Sequence, residues 1–114
     1  MLKHLNRLPA NIKLVYPKSI NLQTVLIKIA PNSLSYSRFG FIIAKKVAKL
    51  AVDRNRSKRL LRSCIEDLFS QIKPGYDFLF IIRKNLAEQR KEILMEEAKV
   101  FMREYLAKSF EKKE

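Results

Sequence analysis

The side chains able to do chemistry in this chain are cations. The stretch from Lys45 to Arg62 holds eight Lys or Arg and one acid, Asp53. Lys45, Lys46 and Lys49 come just before an expected helix start; Arg54, Arg56, Lys58, Arg59 and Arg62 follow within it. Guanidinium forks grip phosphate oxygens in pairs, and free amides at a helix N-terminus add to the attraction. Asn55 both donates and accepts, which suits a base edge or a 2′-hydroxyl. Any one of these residues alone would read as a solvated surface charge. As a set with almost no opposing acid, they point to a polyanion, with RNA the first candidate.

Catalytic chemistry is not legible. A metal-dependent nuclease needs carboxylates or histidines that converge. Residues 1–62 offer only Asp53, and the neighbours Glu66 and Asp67 point about 100° apart on a helix. There is no His pair, Cys-x-x-Cys, glycine-rich phosphate loop or nucleophile elbow. His4 has no second His and no nearby Cys or Asp, and reads as an exposed bystander. The one cysteine, Cys64, excludes an intramolecular disulfide, fits a reducing compartment and reads as a small buried apolar residue. The expectation is a binding protein with no catalytic residue and no metal ligand of its own.

Charge distribution sharpens this. Residues 1–62 carry fourteen Lys or Arg against one acid, whereas residues 63–114 carry ten of each. The entire net charge of +13 therefore lies in the first part of the chain. Such a field repels itself until a polyanion neutralises it, and nucleic acid gains further from counterion release. A membrane surface fits less well, because the basic part contains strand-like segments rather than one amphipathic helix. The length of 114 residues suits a single domain, 1–114, and an apolar content of 47% suffices for a core. No apolar run has the ~18 residues of a membrane span. The start, Met-Leu-Lys-His-Leu-Asn-Arg, lacks the apolar region of a signal peptide. A cytoplasmic location and no membrane partner are expected.

The positioning elements read as follows. Residues 1–22, broken by Pro9 and Pro17, follow no clean period and suggest a short helix or irregular arm. Gln23 to Ala30 reads as a strand, with Val25, Ile27 and Ile29 on one face, and Pro31-Asn32-Ser33 as a turn. Arg38 to Val47 reads as a second strand, with Phe39, Phe41, Ile43 and Lys45 sharing a face; Phe39 and Phe41 read as sheet core first and as a stacking platform for bases second. Gly40, on the opposite face, invites a close approach to the backbone. The central helix begins between Lys49 and Arg54, with Asp53 as cap or first-turn residue. It packs through Leu61, Cys64, Ile65, Leu68, Phe69 and Ile72, and stops at Lys73-Pro74-Gly75. On it Asn55, Arg59 and Arg62 form a separate line that Glu66 continues. Tyr76 to Arg83, apolar on both sides, reads as a central strand. Asn85 with Glu88 suggests a capping box, opening a long helix to about Lys108 that packs through Leu94, Ala98, Phe101 and Tyr105. The fold class is α+β, a small α/β sandwich with helices packed on a sheet, in the order (short α or arm)-β-β-α-β-α.

Several of these residues also match a family. Arg38, Gly40-Phe41, Lys45-Lys46-Val47, Lys49, Arg54-Asn55-Arg56, Lys58-Arg59-Leu60 and Arg62 resemble the bacterial ribonuclease P protein subunit and its Arg-Asn-Arg motif. Gly75-Tyr76-Asp77, leading into an apolar strand that ends at Arg83, resembles the family's next segment, and the likeness covers roughly residues 24–106. It implies a partner, the catalytic RNA of ribonuclease P, and a substrate, precursor tRNA, whose 5′ leader the holoenzyme removes. Hydrolysis would belong to that RNA with Mg2+, with no cofactor on the protein alone and no obligate protein partner. The Arg-Asn-Arg helix would contact RNA, and a cleft along the sheet would hold the leader, with Tyr16, Arg38, Phe39 and Phe41 as candidate contacts. The resemblance also implies a left-handed β-α-β crossover, against the right-handed norm. Ala48 stands where the family usually has Gly, and Ser63 where it usually has Glu. The N-terminal arm keeps Arg7-Leu8 but lacks the usual Phe-containing helix. The alternative from a different class is a ribosomal or general structured-RNA-binding protein with no role in catalysis. A stand-alone nuclease ranks last for want of a site.

Overall fold

The computed structural model describes residues 6–9, 14 and 17–107, with side chains described as far as 103. His4 and Tyr16 lie outside the described residues, as do the side chains of Tyr105 and Leu106. The elements are β1 (Lys18–Asn21), β2 (Val25–Pro31), β3 (Arg38–Ile43), α1 (Ala51–Leu68), β4 (Tyr76–Ile82) and α2 (Lys91–Ala107). They form an α+β sandwich whose four-stranded sheet has the order β1-β2-β4-β3.

The apolar run of β4 makes it central. It pairs antiparallel with β2 (Ile27 opposite Phe80, Ile29 opposite Phe78) and parallel with β3 (Phe39 opposite Phe78, Phe41 opposite Phe80). The parallel pair is joined through α1, so β3-α1-β4 is a crossover unit. One sheet face forms the core, with Val25, Ile27, Ile29, Phe39, Phe78, Phe80 and Ile82 buried and Phe41 and Ile43 half-buried. Against it pack Leu61, Cys64, Ile65 and Leu68 of α1, with Leu94, Ala98, Phe101 and Met102 of α2. Burial of each large side chain stabilises by about 1.5–3 kcal/mol.

Four local readings change. The irregular arm ends in a strand, β1, antiparallel to β2. Only four residues long and at the sheet edge, it buries Ile20 alone and leaves no alternation to read. The strand at Arg38 stops at Ile43. The amides of Val47 and Ala48 donate to the Ala44 carbonyl (3.0 and 3.3 Å), closing a turn that lifts the chain from the sheet to the helix layer. Phe69 leaves the helical stripe for a 3₁₀ turn, Phe69–Gln71, and is 39% exposed while its ring tilts onto Phe39 at 5.9 Å. Asn85 forms no capping box. Its Oδ1 accepts the Ala87 amide (2.9 Å), and α2 starts only at Lys91. The Leu86 amide is engaged by Ser57 Oγ at 2.9 Å, which holds this connection against α1.

Gly40 is approached closely, as expected. A Cβ there would lie 3.1 Å from Cβ and Cδ2 of Leu8. The Leu8 amide donates to the Phe39 carbonyl (2.9 Å), and Asn6 Nδ2 donates to the Ser37 carbonyl (2.7 Å). Leu8 thus covers one end of the sheet face that the helices leave open.

The β2–β3 connection is held by a buried carboxylate. Asp77 accepts from Arg38 Nε and Nη2 (2.9 and 2.8 Å) and from Asn32 Nδ2 (2.9 Å). The hydrogen bond to Asp77 raises the Arg38 pKa further, so the guanidinium stays charged. Asp77→Ala leaves the largely buried guanidinium uncompensated. It should lower stability by about 3 kcal/mol, read as an earlier midpoint in urea unfolding.

Burial raises the Cys64 thiol from its ordinary 9.0 to about 11. The stability linked to that thiol is complete below about pH 9. It is lost as pH rises towards 11, because the unfolded chain ionises first. At pH 8 the native thiol should resist alkylation, and labelling should track unfolding measured by circular dichroism.

Candidate nucleic-acid interface

Helix α1 presents the basic motif. Its N-cap is Leu50 in extended conformation, with no side-chain capping bond. Asp53 sits in the first turn, where a carboxylate faces the positive end of the helix dipole, and accepts from Asn85 Nδ2 at 3.1 Å. The buried line is Ser57, Leu61, Cys64, Ile65 and Leu68. Ser57 was missed as a packing residue, although it continues the stripe one turn before Leu61. Its hydroxyl is fully buried and receives the Leu86 amide.

With that face inward, the cations must point out. Asn55, Arg56 and Arg59 are exposed; Lys58 and Arg62 are half-buried. Lys45, Lys46 and Lys49, all exposed, lie on the turn and loop that lead into α1. Among the described residues Lys45, Lys46, Lys49, Arg56, Lys58 and Arg59 have no ion-pair partner. Arg54 is different. Its Nη1 donates to the carbonyls of Ala48 and Lys49, each at 2.9 Å, so it braces the loop that carries Lys49. Arg62 lies over the Phe41 ring, 5.3 Å from its centroid, a cation–π contact that fixes the guanidinium at the helix surface.

The candidate leader contacts separate. Phe39 is a core residue, 2% exposed and stacked on Phe78 at 5.0 Å, so its ring is no platform for a base. Arg38 is bound in both directions by Asp77. Phe41 is half-buried on the helix side, between Phe80 and Arg62. The open face carries the opposite parity: Leu26, Lys28, Leu79 and Ile81 are half-buried, and Ile42 is 49% exposed. Gly40, lying between Phe39 and Phe41, was the sequence signal for that face.

Comparison with known proteins agrees with this architecture. The sequence model of the Ribonuclease P family matches residues 12–106. The chain belongs to the ribonuclease P family. A "Ribonuclease P protein component" of Dehalococcoides mccartyi is 46% identical over 65 residues, covering 57% of this chain and 52% of the relative. One from Fusobacterium nucleatum is 43% identical over 68 residues, covering 60% of each. The chain thus spans about half to three-fifths of the length of these curated relatives. The ribonuclease P protein of Thermotoga maritima superposes with a TM-score of 0.68 at 25% identity, over 78% of this chain and 84% of that one. That of Staphylococcus aureus, at 21% identity, shares the fold over 100% and 98% of the two chains, with a TM-score of 0.69.

Ala48 and Ser63, at the two ends of the basic stretch, have clear places in the structure. Ala48 is buried at 2% exposure, and positive φ occurs among the described residues only at Ser33 and Gly75, so no glycine is required there. Ser63 Oγ accepts from Lys91 Nζ at 2.7 Å, and the same ammonium meets Asp67 at 2.9 Å. Ser63, next to Arg62, therefore helps tie α1 to α2.

Arg59→Ala should reduce the slope of log affinity for structured RNA against log salt by about 0.7–0.9, one phosphate's worth, with thermal stability unchanged. Arg62→Ala should flatten the slope similarly and also lower the melting temperature, because Phe41 loses its cover. Filter-binding titrations over a salt series, with melting curves, check both.

Proposed function

We propose that this chain is the protein subunit of ribonuclease P, acting in the cytoplasm. It binds the catalytic RNA and assists removal of the 5′ leader from precursor tRNA. The observation that carries this reading is the Arg-Asn-Arg helix within the family match: six motif and loop cations without ion-pair partners among the described residues, on a face the core leaves free. The cations Lys45, Lys46, Lys49, Arg56, Lys58, Arg59 and Arg62 meet phosphates of the RNA, and Asn55 bonds a base edge or 2′-hydroxyl. The leader lies along the open sheet face, over Leu26, Lys28, Ile42, Leu79 and Ile81.

The division of labour follows from the chemistry of these groups. The motif's ammonium and guanidinium groups bind phosphate rather than a divalent cation, and on this reading the Mg2+ used in hydrolysis is assigned to the RNA. The protein supplies positive charge beside crowded phosphates, lowering the number of ions that the folded RNA must recruit. No described helix is long and apolar enough to cross a membrane, and no membrane partner enters the reading.

Adding the protein to the catalytic RNA of the same organism should lower the Mg2+ concentration needed for half-maximal leader cleavage severalfold. A titration of Mg2+ against cleavage rate, with and without protein, measures this. Equal midpoints and equal substrate affinity would overturn the reading in favour of a general RNA-binding protein.

A further inference from the structure

Within the cationic field stands an apolar pair. Leu50 is 61% exposed and Val52 54%, the most exposed large aliphatics among the described residues. Single exposed aliphatics are ordinary on a protein surface. Here two occur within three residues, and the fold holds them there. The Leu50 carbonyl accepts the amides of Asp53 and Arg54 (3.0 and 3.1 Å), fixing its backbone as the N-cap. Arg54 braces the preceding carbonyls of Ala48 and Lys49. Val52, Arg56 and Arg59 follow the i, i+4, i+7 spacing of one helix face, and all three are exposed. Val52 therefore continues the row of exposed guanidiniums, with exposed Leu50 at the N-cap two residues before it.

The charge around the pair selects its occupant. Lys49 adjoins it, Arg56 and Arg59 extend it, and the one nearby carboxylate, Asp53, is already engaged by Asn85. A protein partner would need an apolar patch ringed with acids. RNA carries both features in one unit, a flat base face and a phosphate about one nucleotide away. Bases inside a duplex hide their faces, so the matching element is unpaired. We propose that Leu50 and Val52 form a seat for one unpaired nucleotide of the bound RNA. Its base lies on the two side chains, and its flanking phosphates meet Lys49, Arg56 and Arg59. This rests on the ribonuclease P reading for the identity of the RNA.

The test uses the full chain and a transcript of the same organism's catalytic RNA. Leu50→Ala and Val52→Ala keep the helix, because alanine is the best helix former. Each should weaken binding about three- to tenfold, the effect of losing roughly half an aliphatic side chain's burial. No phosphate contact is removed, so log–log salt plots of variant and wild type should be parallel. Chemical probing should reveal one nucleobase protected by the wild type and reactive with both variants. Unchanged affinity and protection would overturn the proposal while leaving the parent reading intact. So would a salt slope flattened by one phosphate, since the loss would then come from displaced cations. Self-association of the free chain abolished by both substitutions would assign the pair to a second copy and overturn it as well. A wild-type chain that does not bind this RNA at all would fail the parent reading, and this one with it.

Discussion

The fold has to anchor a helix without neutralising it. On α1 the pairs Arg54–Lys58, Lys58–Arg62, Arg56–Arg59 and Arg59–Arg62 are like charges at helical spacing. Each such pair destabilises an isolated helix by about 0.2–0.5 kcal/mol, together roughly 1–2 kcal/mol in the free protein. Pairing them with acids would relieve the strain and abolish the site. Neutral groups therefore do the anchoring. Leu61, Cys64, Ile65 and Leu68 bury against the sheet, and the Ser57 hydroxyl takes up the Leu86 amide. The carboxylate on the basic half of α1, Asp53, faces the helix dipole and Asn85 rather than an arginine. The tie between charged groups, Lys91 to Asp67, sits at the opposite end. The repulsion that remains would be relieved by a bound polyanion.

The parts of this arrangement that were legible in the sequence are those governed by periodicity and sign. The α1 stripe, the central apolar strand and the packing residues Leu94, Ala98 and Phe101 follow from spacing alone. The first part of the chain, with Asp53 as its one acid, marked the candidate site before any geometry. What was not legible depends on long-range pairing. β1 buries one side chain and exists because β2 offers an edge. Arg38 looked like a free cation of the motif region until Asp77, thirty-nine residues later, claimed it. Phe39 and Phe41 were correctly placed on one face, but which face met the helices required knowing that Phe78 and Phe80 lie opposite them. Ser57 was passed over because a hydroxyl in a basic run reads as surface. Its burial depends on an amide twenty-nine residues away.

The order of the sheet also explains why the cationic helix and the open sheet face lie side by side. β3 is the outer strand beyond β4, and its last residues alternate between the two sides: Phe41 and Ile43 towards the helices, Ile42 outward. Immediately afterwards the Ala44 turn redirects the chain, and Lys45, Lys46 and Lys49 follow before α1 begins. Ile42, facing the open side, is thus only three residues from Lys45, so no linker separates the two surfaces. Arg54 then fixes the last step of that path through the Ala48 and Lys49 carbonyls. A glycine at position 48 would leave this bend with more backbone freedom in the unfolded chain. The buried Ala48 methyl removes some of it, which favours the bent loop by about 0.4–1 kcal/mol where the backbone tolerates alanine. Alanine at this position therefore stiffens the junction between helix and sheet face, and the arginine brace keeps it in register.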